Sequence, residues 1–61
     1  MTADEIRELR ERLGLTTMAF AIKIGVSVDT IRSYEQGKRT PSVMIQERLD
    51  EVRDSLTEAV A

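Results

Sequence analysis

Residues Thr16 to Pro41 read TTMAFAIKIGVSVDTIRSYEQGKRTP, and this stretch decides the fold. Thr16 is a helix N-cap residue, and Phe20, Ala21 and Ile24 then recur at helical spacing. Gly25 stops that helix where the backbone must turn left-handed. Val26 enters the turn as an apolar plug. Ser27 caps a second helix whose buried positions are Ile31 and Tyr34, and Gly37 ends it. Ala21 is small enough for close approach, so two helices this near in sequence are expected to cross steeply. The second helix is then left protruding from the surface.

These residues in this order resemble the phage-repressor and Cro-like family, the xenobiotic-response-element (XRE) type. The matching positions are Leu15-Thr16, Phe20-Ala21, Ile24-Gly25-Val26-Ser27, Thr30-Ile31, Tyr34-Glu35, Gly37-Lys38-Arg39 and Pro41-Ser42. They span about residues 5 to 42, and the ordered set at fixed spacing, not any one piece, carries the likeness. The resemblance implies an all-α, compact four-helix, lambda-repressor-like DNA-binding domain with helices 2 and 3 as the helix-turn-helix.

Working outward, Thr2-Ala3-Asp4-Glu5 fits a capping box, with acids placed favourably in the first turn of helix 1. Ile6, Leu9 and Leu13 form its buried stripe, Gly14 ends it, and Leu15 drops into the core. Beyond Pro41, Ser42 can cap a fourth helix. The run to the C-terminus contains no Gly or Pro, and Ile45, Leu49, Val52, Leu56 and Ala59 repeat at four and three residues. The expected organisation is one domain over residues 1–61, with the helix-turn-helix at about 16–37 and one elongated C-terminal helix at about 42–60. Its second half overhangs what so short a bundle can cover.

Composition excludes whole classes of function. The 61 residues contain no cysteine and no histidine, so neither a thiolate metal site nor imidazole chemistry is available. No catalytic role, metal or cofactor is expected. The longest apolar run, Met18 to Ile22, is too short for a membrane span, and no signal peptide is evident, which fits a cytoplasmic, nucleoid-associated protein. Net charge is −2 but unevenly placed. Lys23, Arg32, Lys38 and Arg39 outnumber Asp29 and Glu35 in the central unit. Arg48 and Arg53 are outnumbered by Glu47, Asp50, Glu51, Asp54 and Glu58 in the tail. Positive charge therefore concentrates on the unit that the resemblance turns toward DNA, although the domain is less basic than strong DNA binders are.

A recognition helix entering the major groove exposes its first turn and the residues one turn on. By the resemblance, the base-reading positions are Val28, Asp29 and Ser33, with Arg32 alongside. Val28 suits a thymine methyl, Ser33 donates or accepts, and Arg32 can grip guanine or a phosphate. Asp29 can accept from a cytosine amine or act solely on the helix dipole, and both readings stand. The bland reading of Arg32 is a solvated surface charge. The resemblance places phosphate contacts at Thr16 and Thr17, where the family often has Gln at the second position, and at Lys38, Arg39 and Thr40. It also implies a structural ion pair between Arg10 and Glu35; a direct reach of Arg10 to phosphate is the alternative.

Met18 and Ile22 lie one turn apart at positions the family usually leaves polar. With Leu56, Val60 and Met44 they exceed what a small core needs. Either the long helix folds back over them, or they form a partner surface with Leu49, Val52 and Leu56 on the C-terminal seam. On the second reading the chain is a homodimer, with Arg48, Asp50, Glu51, Arg53 and Asp54 setting register. The expected function is a sequence-specific, double-stranded-DNA-binding transcriptional regulator, a small prokaryotic or phage repressor acting as a dimer on a palindromic operator. The alternative is a protein-interaction module or antitoxin-like regulator on the same fold, whose main partner is another protein.

Overall fold

The computed structural model describes residues 1–60, and side chains as far as residue 56. Among the described residues four helices follow in order: α1 (Ala3–Arg12), α2 (Thr17–Ile24), α3 (Val28–Glu35) and α4 (Val43–Val60). No strand occurs among the described residues.

Local chemistry sets each boundary. Thr2 and Glu5 complete a reciprocal box: the Glu5 N–H donates to the Thr2 hydroxyl at 3.2 Å, and the Thr2 N–H donates to Glu5 Oε1 at 2.9 Å. Thr16 and Ser27 each accept from the amide three residues on, at 3.1 Å, and so start α2 and α3. Such caps satisfy donors that helix geometry orphans, and each contributes about 1 kcal/mol. Gly25 closes α2 at φ 90°, in the left-handed region that a side chain disfavours. The Ser42 hydroxyl accepts from the Ile45 N–H at 3.4 Å as α4 begins.

The amphipathic faces meet in one core. Ile6 and Leu9 from α1, Phe20, Ala21 and Ile24 from α2, Ile31 and Tyr34 from α3, and Leu49 from α4 are all buried. Leu13, Leu15, Val26, Val28, Ile45, Val52 and Leu56 pack around them, half-buried. Burying a side chain as large as Phe20 or Ile24 stabilises the fold by roughly 1.5–3 kcal/mol, so these few residues dominate the stability of the bundle. α2 and α3 are only eight residues each, below the roughly 12–15 at which an isolated helix becomes even marginally stable. Their existence is a property of the core.

Leu49 corrects the seam reading. It is 0 % exposed, so it belongs to the interior and offers nothing to a partner. Met18 and Ile22 remain 63 % and 75 % exposed, so α4 does not fold back over them. Ala59 of the seam repeat and Val60 of the spare apolar positions have side chains outside the described residues.

Candidate nucleic-acid interface

The leading turn of α3 points its polar side chains outward because Ile31 and Tyr34 occupy its inward face. The Asp29 carboxylate is 95 % exposed, and Arg32 reaches toward it at 4.0 Å across one helical turn. A pair this open to water contributes little to stability. Both groups are therefore available to a ligand at small cost. Val28 is half-buried and rests against the core, leaving part of its surface for an apolar contact. Ser33 is half-buried, and its carbonyl already accepts the N–H groups of Lys38 at 2.9 Å and Arg39 at 3.3 Å. The Ser27 and Thr30 hydroxyls lie 2.8 Å apart and hold the entry to the helix.

Those two bonds from Lys38 and Arg39 fix how the following loop can act. Because the Lys38 and Arg39 amides are turned inward to finish α3, these two residues are left to act outward through their side chains, and Lys38, Arg39 and Thr40 are all exposed. At the start of α2 the opposite holds. Thr16 accepts from the Ala19 N–H, so its hydroxyl proton is free to point elsewhere. The Thr17 and Met18 amides, in the first turn, have no acceptor within the helix. Thr17 itself is half-buried. One cluster thus offers backbone donors with a hydroxyl, and the other offers cationic side chains. Both are chemistries that bind phosphate oxygens.

A brace behind this face ties α3 to α1. Arg10 donates to both oxygens of Glu35, from Nε at 3.0 Å and from Nη2 at 3.1 Å, and from Nη1 to the Leu15 carbonyl at 3.2 Å. The two side chains are 21 % and 11 % exposed. Hydrogen bonding to Glu35 holds the Arg10 pKa above its ordinary value, against the opposing effect of burial. With its fork engaged on three acceptors, Arg10 is a structural group here, and a direct reach to phosphate is not the geometry adopted. Arg7 adds a bond from Nη2 to the Glu35 carbonyl at 3.1 Å, a contact not anticipated from sequence.

Arg48 is the second unanticipated residue. Read from sequence as a register charge on the C-terminal seam, it instead donates from Nη1 to the Ile24 carbonyl at 3.0 Å, across to the end of α2. Arg53 bridges Asp50 at 3.3 Å and Asp54 at 3.9 Å within α4 itself. Val52 and Leu56 line a groove of about 400 Å³ together with Leu13, Lys23, Glu51 and Ser55. Val43 and Met44, at 77 % and 63 % exposed, extend the list of large apolar side chains left in water.

Comparison with known proteins finds the helix-turn-helix domain family model matching residues 3–58. A protein of Pyrococcus furiosus, provisionally named an HTH-type transcriptional regulatory protein, is 37% identical over 51 residues, covering 84% of this chain and 16% of its own length. An uncharacterized HTH-type transcriptional regulator of Methanothermobacter thermautotrophicus is 41% identical over 44 residues, covering 72% of this chain and 64% of the relative. The chain therefore spans a small part of the first relative and just under two thirds of the second. No solved structure matches significantly. No helix among the described residues is long and apolar enough to cross a membrane.

Proposed function

The chain belongs to the helix-turn-helix domain family, and from that premise we propose that it is a double-stranded-DNA-binding transcriptional regulator. It reads sequence through the leading turn of α3. The observation that carries this reading is the outward, solvent-exposed Asp29 and Arg32 on a helix whose opposite face is locked in the core. Arg32 gripping guanine is worth about 1–3 kcal/mol of discrimination, and Asp29 suits a cytosine amine. Val28 and Ser33 complete the reading surface. Thr16 and Thr17 hold one phosphate, and Lys38, Arg39 and Thr40 hold others.

Each copy carries one reading helix on a body 33 Å long and 23 Å wide. Successive major-groove faces on one side of a duplex lie about 34 Å apart. Engaging both takes two copies, so the proposed working unit is a homodimer on a palindromic operator. Met18, Ile22, Val52 and Leu56 are the apolar residues offered to the partner; Leu49 is not. Regulation is by occupancy, as a repressor in the cytoplasm. No catalytic step and no cofactor enter this proposal.

The test is retardation of random duplex at low salt, followed by selection of bound duplexes from a random pool. A DNA reader binds random duplex weakly, with affinity falling steeply as salt rises, and recovers a two-fold-symmetric sequence. No retardation at any salt would overturn the proposal. It would favour the second reading, a protein-interaction module, which the exposed Met18, Ile22, Val43 and Met44 support.

A further inference from the structure

Gly25 and Arg48 form a joint between α4 and the turn that launches α3. The Ile24 carbonyl lies at the end of α2, where helix geometry leaves it without a backbone donor, and Arg48 Nη1 supplies one at 3.0 Å. The Arg48 side chain passes over Gly25 to do so. A Cβ at position 25 would lie 2.6 Å from that same Nη1, so the glycine serves both the φ of 90° and the passage of the guanidinium. Only Val26 and Ser27 separate Gly25 from the first residue of α3, and Val26 is wedged against the core. The turn therefore has little slack through which to absorb a displacement.

We infer that Arg48 is a positioning residue for the reading helix, holding the α2–α3 turn from the α4 side so that the aim of α3 depends on the placement of α4. The inference rests on the reading of α3 as the DNA-contacting helix. Its consequence is specific. The α4 residues Glu51, Val52, Ser55 and Leu56 line the groove described above, one and two turns beyond Arg48. Val52 and Leu56, offered above to a second copy, thus lie on the same rod that steadies the turn. A cation that merely capped α2 would stabilise the fold without affecting discrimination, and this difference is measurable.

The experiment compares the 61-residue chain with its Arg48→Ala, Gly25→Asn and double variants, at a temperature where circular dichroism shows all four fully folded. Asparagine tolerates the left-handed turn better than other side chains, but its Cβ must push the mobile guanidinium aside. Affinity is measured by fluorescence anisotropy for a duplex selected with the wild type and for random duplex. Arg48→Ala is expected to lose about tenfold on the selected duplex, the scale of one mismatched base pair, while random-duplex affinity stays within about twofold. Gly25→Asn should reproduce that loss, and the double variant should be no worse than either single one. Unchanged discrimination in Arg48→Ala overturns the inference. So do equal losses on both duplexes, which would make Arg48 a phosphate contact, and additive losses in the double variant. Amide NMR shifts of Val26 to Asp29 provide a readout independent of DNA. They should move in Arg48→Ala, and if they do not, the joint does not position α3. Wild-type chain that binds neither duplex refutes the DNA reading instead, and the amide shifts then still decide whether the joint exists.

Discussion

Replacing Lys38 and Arg39 together with alanine isolates the electrostatic part of binding. Both side chains are exposed, and their backbone N–H groups, which finish α3 on the Ser33 carbonyl, are retained by alanine. The fold should not notice, since surface changes of this kind stay within about 0.5 kcal/mol. Each phosphate neutralised on a duplex contributes about −0.9 to the slope of log affinity against log salt, so two lost contacts flatten it by about 1.8. Between 50 and 200 mM salt, a fourfold change, the wild type should therefore lose about twelvefold more affinity than the variant. The loss at low salt should be similar on selected and random duplexes, because phosphates carry no sequence. Gel retardation or anisotropy across a salt series measures the slope, and a thermal melt provides the folding control. An unaltered slope in a fully folded variant would remove the loop from the interface. A loss confined to the selected duplex would make these cations base readers and refute the division of labour argued from the inward-turned amides.

Arg32→Ala should relax preference at one base pair of each half-site by about 1–3 kcal/mol, read by repeating the selection; an identical recovered sequence excludes it as a reader. Arg10→Ala strands a Glu35 carboxylate that is 11 % exposed and removes a donor from Leu15, so it should cost about 2–4 kcal/mol. For a chain this size that lowers the melting midpoint by about 4–8 °C per kcal/mol, and a shift under a few degrees would show that water compensates. The Thr2 backbone N–H, with the Thr2 hydroxyl, holds the Glu5 carboxyl below its ordinary value of 4.5. A depressed folded-state pKa contributes stability that is present above the ordinary value and lost as pH falls through the depressed one. Side-chain NMR titration should find Glu5 below 4.5, and Glu5→Gln should flatten the acid limb of the stability curve. Met18→Ser with Ile22→Ser should leave the melt unchanged yet weaken self-association in sedimentation; an unaltered solution mass removes α2 from any interface between copies.

Helix starts were legible because they are local chemistry. Thr2, Thr16 and Ser27 each sit three residues before the amide they cap, and a spacing of three survives in a one-dimensional string. Ile31 and Tyr34 were legible for the same reason, by period. Leu49 was misplaced because a seven-residue repeat reports that a face is apolar and says nothing about what covers it. The same helix stripe serves an interior or a partner equally well. Arg48 was invisible as a joint because its acceptor is a main-chain carbonyl 24 residues away, and carbonyls have no identity in a sequence. The Arg10–Glu35 brace came only through family likeness, since no local rule pairs residues 25 apart. The exposure of Met18 and Ile22 depended on which way an 18-residue rod leans, which is decided by packing and not by pattern.

The brevity of α3 has a practical corollary. Eight residues cannot hold a coil upright unaided, so α3 melts in the same event as the oily centre beneath it. On the DNA-reading proposal, a duplex that fits raises the temperature at which the whole bundle comes apart, by an amount that grows with its concentration relative to its dissociation constant. Calorimetry or a dye-based melt with a panel of oligonucleotides would thus rank candidate targets directly, with the protein serving as its own thermometer for a correct match.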